Sequence, residues 1–180
     1  GSELVGNSIQ AVLWALVAML IYIWLRFEWQ FGVCAILALT HDALSILGLY
    51  SLFGLEFNLT AIVAILITIG YSINDTVVIY DRIRENLRKF KKMAVEDVIN
   101  LSINETLSRT ILTSSSTLLA LIALYCWGGE VISTYSLPIL VGVSVGTYSS
   151  IFLAAPLLKS FRLNIRHNEK TQEFQNAPHI

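Results

Sequence analysis

Apolar residues in this chain fall into blocks of about 17–23, separated by short polar pieces, and a bilayer core about 30 Å thick needs around 20 residues of helix. No other feature limits the possible folds so strongly. Five blocks are read as spans: about 9–25, 31–53, 59–80, 106–127 and 136–158. Together they occupy more than half of the 180 residues. Apolar side chains make up 55% of the chain and charged ones 14%. That composition leaves little polar surface with which to face water, so a soluble enzyme, a secreted disulfide scaffold and a disordered chain are poor readings. The expected fold is an all-α integral membrane bundle of five spans.

Charge distribution orients the bundle. The chain has 12 Lys and Arg residues. Arg26 lies between the first two spans. Arg82, Arg84, Arg88, Lys89, Lys91 and Lys92 lie between the third and fourth, Arg109 enters the fourth, and Lys159, Arg162, Arg166 and Lys170 follow the fifth. All belong to one side. The other side carries Glu3, Glu56 and Glu130 and no base. Basic loops stay in the cytoplasm, so the start is expected outside and the end inside. Trp24 and Trp29 mark the inner interface, and Trp127, Tyr50 and Tyr135 the outer one. Net charge is −1, which gives no field suited to nucleic acid. Cys34 and Cys126 sit at opposite ends of their spans, beyond disulfide reach, and suggest no metal site. No cofactor is implied.

The link 81–105 divides in two. Arg82–Lys92 is expected to continue the third helix, with Glu85 and Lys89 as an i,i+4 pair. Val95, Val98, Ile99, Ser102, Ile103 and Leu107 then form one apolar stripe, suited to the membrane surface or to a partner. The basic stretch suits anionic membrane lipids or a protein contact. The tail 159–180 is polar, without a period, and is expected to be mobile.

Ionisable groups within the spans are expensive and by default mark function. Asp75 shares a helix face with Thr68, Tyr71 and Ser72, and Asn74 adjoins it. Gly70 is expected to allow a close backbone approach. Arg109 shares a face with Thr113, Ser116 and Thr117. A salt bridge or near-bridge between Asp75 and Arg109 is geometrically open. Three readings follow: a structural clamp, a switchable acid whose proton affinity follows the distance to Arg109, and a direct substrate site. His41-Asp42 is better read as hydrogen-bonding a neighbouring helix than as a metal dyad.

Two motifs are decoys. Gly142-Val143-Ser144-Val145-Gly146 matches G-x-S-x-G, but that motif needs a strand-to-helix turn. Gly142, Gly146 and Ser150 instead make a small-residue seam for close helix packing. The run Ser114-Ser115-Ser116-Thr117 has no partner base on its span, so an intramembrane protease has little support, and these hydroxyls can bond their own backbone or a neighbouring helix.

The stretch Gly70-Tyr71-Ser72-Ile73-Asn74-Asp75-Thr76-Val77-Val78-Ile79-Tyr80-Asp81-Arg82-Ile83-Arg84-Glu85-Asn86 resembles the SecF signature of the SecD/SecF protein-export family. Arg26-Phe27-Glu28-Trp29, His41-Asp42, Gly54-Leu55-Glu56-Phe57, Arg109-Thr110-Ile111-Leu112-Thr113-Ser114 and Gly142-Val143-Ser144-Val145-Gly146-Thr147 agree with it. The likeness runs from about Val5 to about Leu158. It implies half of a membrane domain related to the resistance–nodulation–division transporters, paired with SecD and associated with the SecYEG channel. It also implies a non-enzymatic accessory of the bacterial cytoplasmic membrane, drawing on a proton or sodium gradient to help move preprotein outward. The family's membrane acid and arginine fall on Asp75 and Arg109, which favours the switchable acid. Family members carry a first span and an extracytoplasmic domain before these spans, so the chain corresponds to the carboxy-terminal membrane portion. The alternatives are an ion-coupled transporter of lipids or small molecules on the same scaffold, or a passive scaffold.

Overall fold

The computed structural model describes residues 2–27, 29–54 and 59–160. Those residues form long helices and no strand. The helices are α1 (Ser2–Arg26), α2 (Trp29–Leu52), α3 (Leu59–Lys89), α4 (Val95–Trp127) and α5 (Gly129–Ser149). A π-helical turn, Ser150–Ala154, carries α5 on towards Ser160. Four of these, α2 to α5 with its extension, are long and apolar enough to cross a membrane. The tail beyond Ser160, the link residues 55–58 with Glu56, and the bases Arg162, Arg166 and Lys170 lie outside the described residues.

The α4–α5 turn shows how little chain these connections need. Gly128 caps α4 by donating its N–H to the Leu124 carbonyl at 2.8 Å. A Cβ there would lie 2.3 Å from that carbonyl oxygen. Gly129 then takes φ +80, a left-handed conformation that costs glycine little, and α5 starts at once. The fifth helix therefore begins several residues before the expected span.

The link between α3 and α4 is mostly helix. Both helices overrun their apolar spans, leaving only residues 90–94 as the connection. The stripe on the start of α4 is not left for a surface or a partner. Val95 and Ile99 are buried, and Ile103 and Leu107 pack against the same cluster. Buried Asn86 on α3 reaches the Ser102 hydroxyl at 3.0 Å and Glu105 at 2.6 Å. Arg82 binds Glu105 through Nε at 2.6 Å and Glu85 through Nη1 at 2.6 Å. Glu85 thus pairs backwards with Arg82, not forwards with Lys89, because Arg82 already points to the acidic face shared with α4. The hydrogen bonds from Arg82 and Asn86 hold Glu105 below its ordinary carboxylate pKa.

The core lies at the basic end. Phe27, Phe31 and Tyr80 form an aromatic cluster, with Phe31 and Tyr80 edge to face at 5.1 Å. Cys34, Ile83, Ile151 and Leu158 complete it. Trp24, Trp29 and Trp127 are exposed, as interface residues should be, whereas Tyr50 is buried against Ile46 and Ala61. Tyr50 is therefore a packing residue of α2 and not an interface marker. Cys34 and Cys126 are both free thiols.

Candidate functional site

Lipid offers no hydrophobic drive between helices, so they associate through close packing and interhelical hydrogen bonds. Both occur where α3 meets α5. A Cβ on Gly142 would lie 1.8 Å from the Thr68 hydroxyl and 2.9 Å from its Cβ. One on Gly146 would lie 3.0 Å from the Ser72 Cβ. A turn further on, Ser150 donates to the Ser72 carbonyl at 3.1 Å and lies 2.9 Å from the Thr76 hydroxyl. The small-residue seam is therefore the α3–α5 contact. Gly70 takes no part in it: a Cβ there would touch only Met19 on α1, at 4.0 Å. The expected close approach at Gly70 is absent because that face of α3 meets a flexible methionine, not a backbone.

Asp42 closes the same junction from α2. It is fully buried. The hydroxyls of Ser72 and Ser149 donate to its Oδ2 at 2.5 and 2.8 Å, joining three helices. His41, half exposed, lies 3.2 Å from Oδ1. This hydrogen bonding to neighbouring helices agrees with the reading of His41-Asp42 from sequence. Among the described residues no cluster of three or more metal-ligating side chains occurs. Interhelical hydrogen bonds are worth about 0.6 kcal/mol on average and up to about 1.7. Asp42→Ala removes two of them, and is expected to cost about 1–3 kcal/mol in a denaturation titration of the full-length protein.

Asp75 is 3% exposed. Ser114, on α4, lies on the side of the site that α4 turns towards α3. Ser114 also lies 2.8 Å from the Thr147 hydroxyl on α5 and accepts from Tyr71 at 3.4 Å. The carboxyl oxygen Oδ2 is buried, and no protein donor reaches it. Arg109 is exposed and makes no ion pair with Asp75, though it stays within electrostatic reach. Arg109 instead lines a groove of about 380 Å³ between α3 and α4, together with Arg82, Glu85, Glu105 and Thr106. The groove opens at the basic end, and its wall includes Val78, one helical turn from Asp75.

The supporting residues divide. Thr68, Tyr71 and Ser72 lie on packed faces of α3, with Ser72 turned to Asp42. Asn74 is exposed. Thr113, Ser116 and Thr117 bond carbonyls of their own helix, at Arg109 and Thr113. The polar face that α4 turns inwards is Ser102, Thr106, Thr110 and Ser114, all buried. Its four-residue spacing was visible in the sequence, one position away from the stripe read from Arg109. Ser149 and Thr147, the remaining missed residues, carry no sequence signal beyond being hydroxyls beside the glycine seam.

A family model described as "Protein export membrane protein SecD/SecF, C-terminal" matches residues 1–164. The chain belongs to the SecD/SecF family. It is similar to "Protein translocase subunit SecF" of Rickettsia rickettsii (strain Sheila Smith), 53% identical over 96% of this chain and 56% of the relative. The SecF of Rickettsia bellii (strain OSU 85-389) is 54% identical over 89% of this chain and 53% of its own. The chain thus spans little more than half the length of these SecF relatives. Among solved structures it resembles SecDF in a "Super-membrane-facing form", with TM-score 0.87 and 45% identity over 96% of this chain and 23% of that one. It also resembles the translocon-associated SecDF of Thermus, with TM-score 0.82 and 46% identity over 87% of this chain and 22% of that one.

Proposed function

We propose that this chain is the ion-coupling membrane part of an accessory complex for protein export, acting with SecD beside the SecYEG channel on preprotein in transit. Proton (or sodium) entry through it drives late steps of export. The supporting observation is Asp75 Oδ2, a carboxyl oxygen held away from water with no protein donor. A buried unpaired acceptor is costly, and a proton or a cation relieves that cost. Arg109 borders a groove between α3 and α4 through which the acid could be reached. The lack of a direct ion pair counts against a clamp, which would gain most from contact.

The one-sided distribution of the twelve bases supports a groove that faces the cytoplasm from the bacterial inner membrane, with the first residue outside. One charge crossing 100 mV is worth about 2.3 kcal/mol, and a few such steps suffice to switch a two-state membrane domain.

The test uses vesicles holding SecYEG, SecD and the full-length form of this protein, with a preprotein arrested part-way. An imposed gradient is expected to complete export after ATP is removed, and a proton or sodium ionophore to stop it and so identify the ion. Equal completion in vesicles lacking the protein would defeat the proposal.

A further inference from the structure

The basic end of the bundle holds a second hollow, which meets the Arg109 groove at Asp81 and Glu85. It has a volume of about 490 Å³ and is lined by Arg26, Asp81, Arg84, Glu85, Arg88 and Lys89. Its two acids are already engaged, Asp81 by Arg26 at 2.7 Å and Glu85 by Arg82 at 2.6 Å. The positive charge left over sits on Arg84, Arg88 and Lys89. Arg84 is held in place by one bond, from Nη1 to the Arg26 carbonyl at 3.0 Å. Its Nε is buried with no hydrogen-bond partner. Arg88 makes no ion pair or hydrogen bond among the described residues. Lys89 lies over the Phe90 ring, 5.2 Å from its centre, which leaves its charge unneutralised. An adjoining hollow of about 650 Å³ shares Arg88 and Lys89 and adds Lys91 and Lys92.

A forked guanidinium tethered by one N–H, with Arg88 and Lys89 beside it, matches a phosphate monoanion or diester. The surroundings decide its source. Arg26 ends α1, and the residues around it, Trp24, Leu25 and Trp29, are 73%, 84% and 59% exposed. Exposed tryptophans of this kind sit at headgroup level, and the apolar surface continues from them along α1. Basic pockets between membrane helices on that side suit anionic headgroups.

We propose that the hollow formed by Arg26, Arg84, Arg88 and Lys89 binds the phosphate of an anionic phospholipid, whose acyl chains lie along the exposed end of α1. The site rests on the reading of the basic end as the membrane's cytoplasmic face. It is independent of ion coupling at Asp75.

The full-length protein, purified in micelles doped with equal phosphatidylglycerol and phosphatidylcholine, is examined by native mass spectrometry. About tenfold preferential retention of phosphatidylglycerol is expected, equivalent to about 1.4 kcal/mol. Joint Arg84→Gln and Arg88→Gln substitution should bring the two lipids to parity. Joint replacement by lysine should keep part of the preference. Lys159→Gln, which breaks a pair with Glu96 outside the lining of the hollow, should keep all of it. Equal retention of both lipids by the unaltered protein would overturn the site without recourse to any variant. So would an unchanged preference in the glutamine variant, or displacement of the lipid by millimolar inorganic phosphate, which would make free phosphate the ligand. Asp75→Asn should leave the preference intact, so the lipid site and ion coupling fail separately.

Discussion

Asp75→Asn in the full-length protein is expected to lower gradient-driven export by about tenfold or more, a loss of at least about 1.4 kcal/mol in the coupled step. Asparagine nearly matches aspartate in size, so packing around this 3% exposed position should survive. It cannot take up or release a proton, and it carries no charge to bind a cation or answer Arg109. The variant should therefore assemble and resist denaturation like the parent while failing to respond to an imposed gradient. Export measured in vesicles, with assembly followed by co-purification of SecD, separates the outcomes. A clamp would show the reverse pattern, with lower stability and unimpaired coupling.

Gly142→Ala should have the largest effect on stability. Its new methyl group would lie 1.8 Å from the Thr68 Oγ1 and 2.9 Å from the Thr68 Cβ, with Ile46 Cδ1 at 3.1 Å. The hydroxyl can turn away, because its bond to carbon rotates and it makes no hydrogen bond. The Thr68 Cβ cannot, since it is fixed to the α3 backbone. The helices must part, and overpacking of this kind costs about 1–3 kcal/mol. Parting α3 from α5 also strains the Ser72 and Ser149 bonds to Asp42. Thr68→Gly in the same chain, which removes that Cβ, should recover part of the loss, giving a non-additive double-mutant cycle. Gly48→Ala is the contrasting case. Nothing lies within 4 Å of its new methyl group, so it should be neutral, or stabilising by up to about 1 kcal/mol through helix propensity. Denaturant titration of the purified full-length variants measures all of these.

Much of this architecture is legible without coordinates, for identifiable reasons. A span must be apolar over about 20 residues, so membrane helices declare themselves, and small residues four apart disclose a seam before its partner is known. What stays hidden is which face of a largely uncharged helix turns inwards. On α4, serine and threonine occupy both faces. A hydroxyl facing lipid satisfies itself on its own helix, as Thr113 and Thr117 do. The inward set, ending at Ser114, is defined only by the arrival of α3 and α5. Asp42 is hidden in the same way: its donors, Ser72 and Ser149, come from helices 30 and 107 residues away in the chain. Tyr50 and the stripe from Val95 to Leu107 show the same limit, since an amphipathic or aromatic pattern names a face that will be buried without saying what buries it.

Infrared difference spectroscopy of the full-length protein in lipid addresses most directly whether Asp75 changes protonation. Spectra are recorded as the bathing medium passes from mildly acid to mildly alkaline, and Asp75→Asn assigns the band. A carboxylic C=O band should be present at the acid end, give way to a carboxylate band at the alkaline end, and be missing throughout from Asp75→Asn. A spectrum in which the Asp75 signal stays the same across the whole range, and is unchanged by adding or removing sodium, would contradict the account.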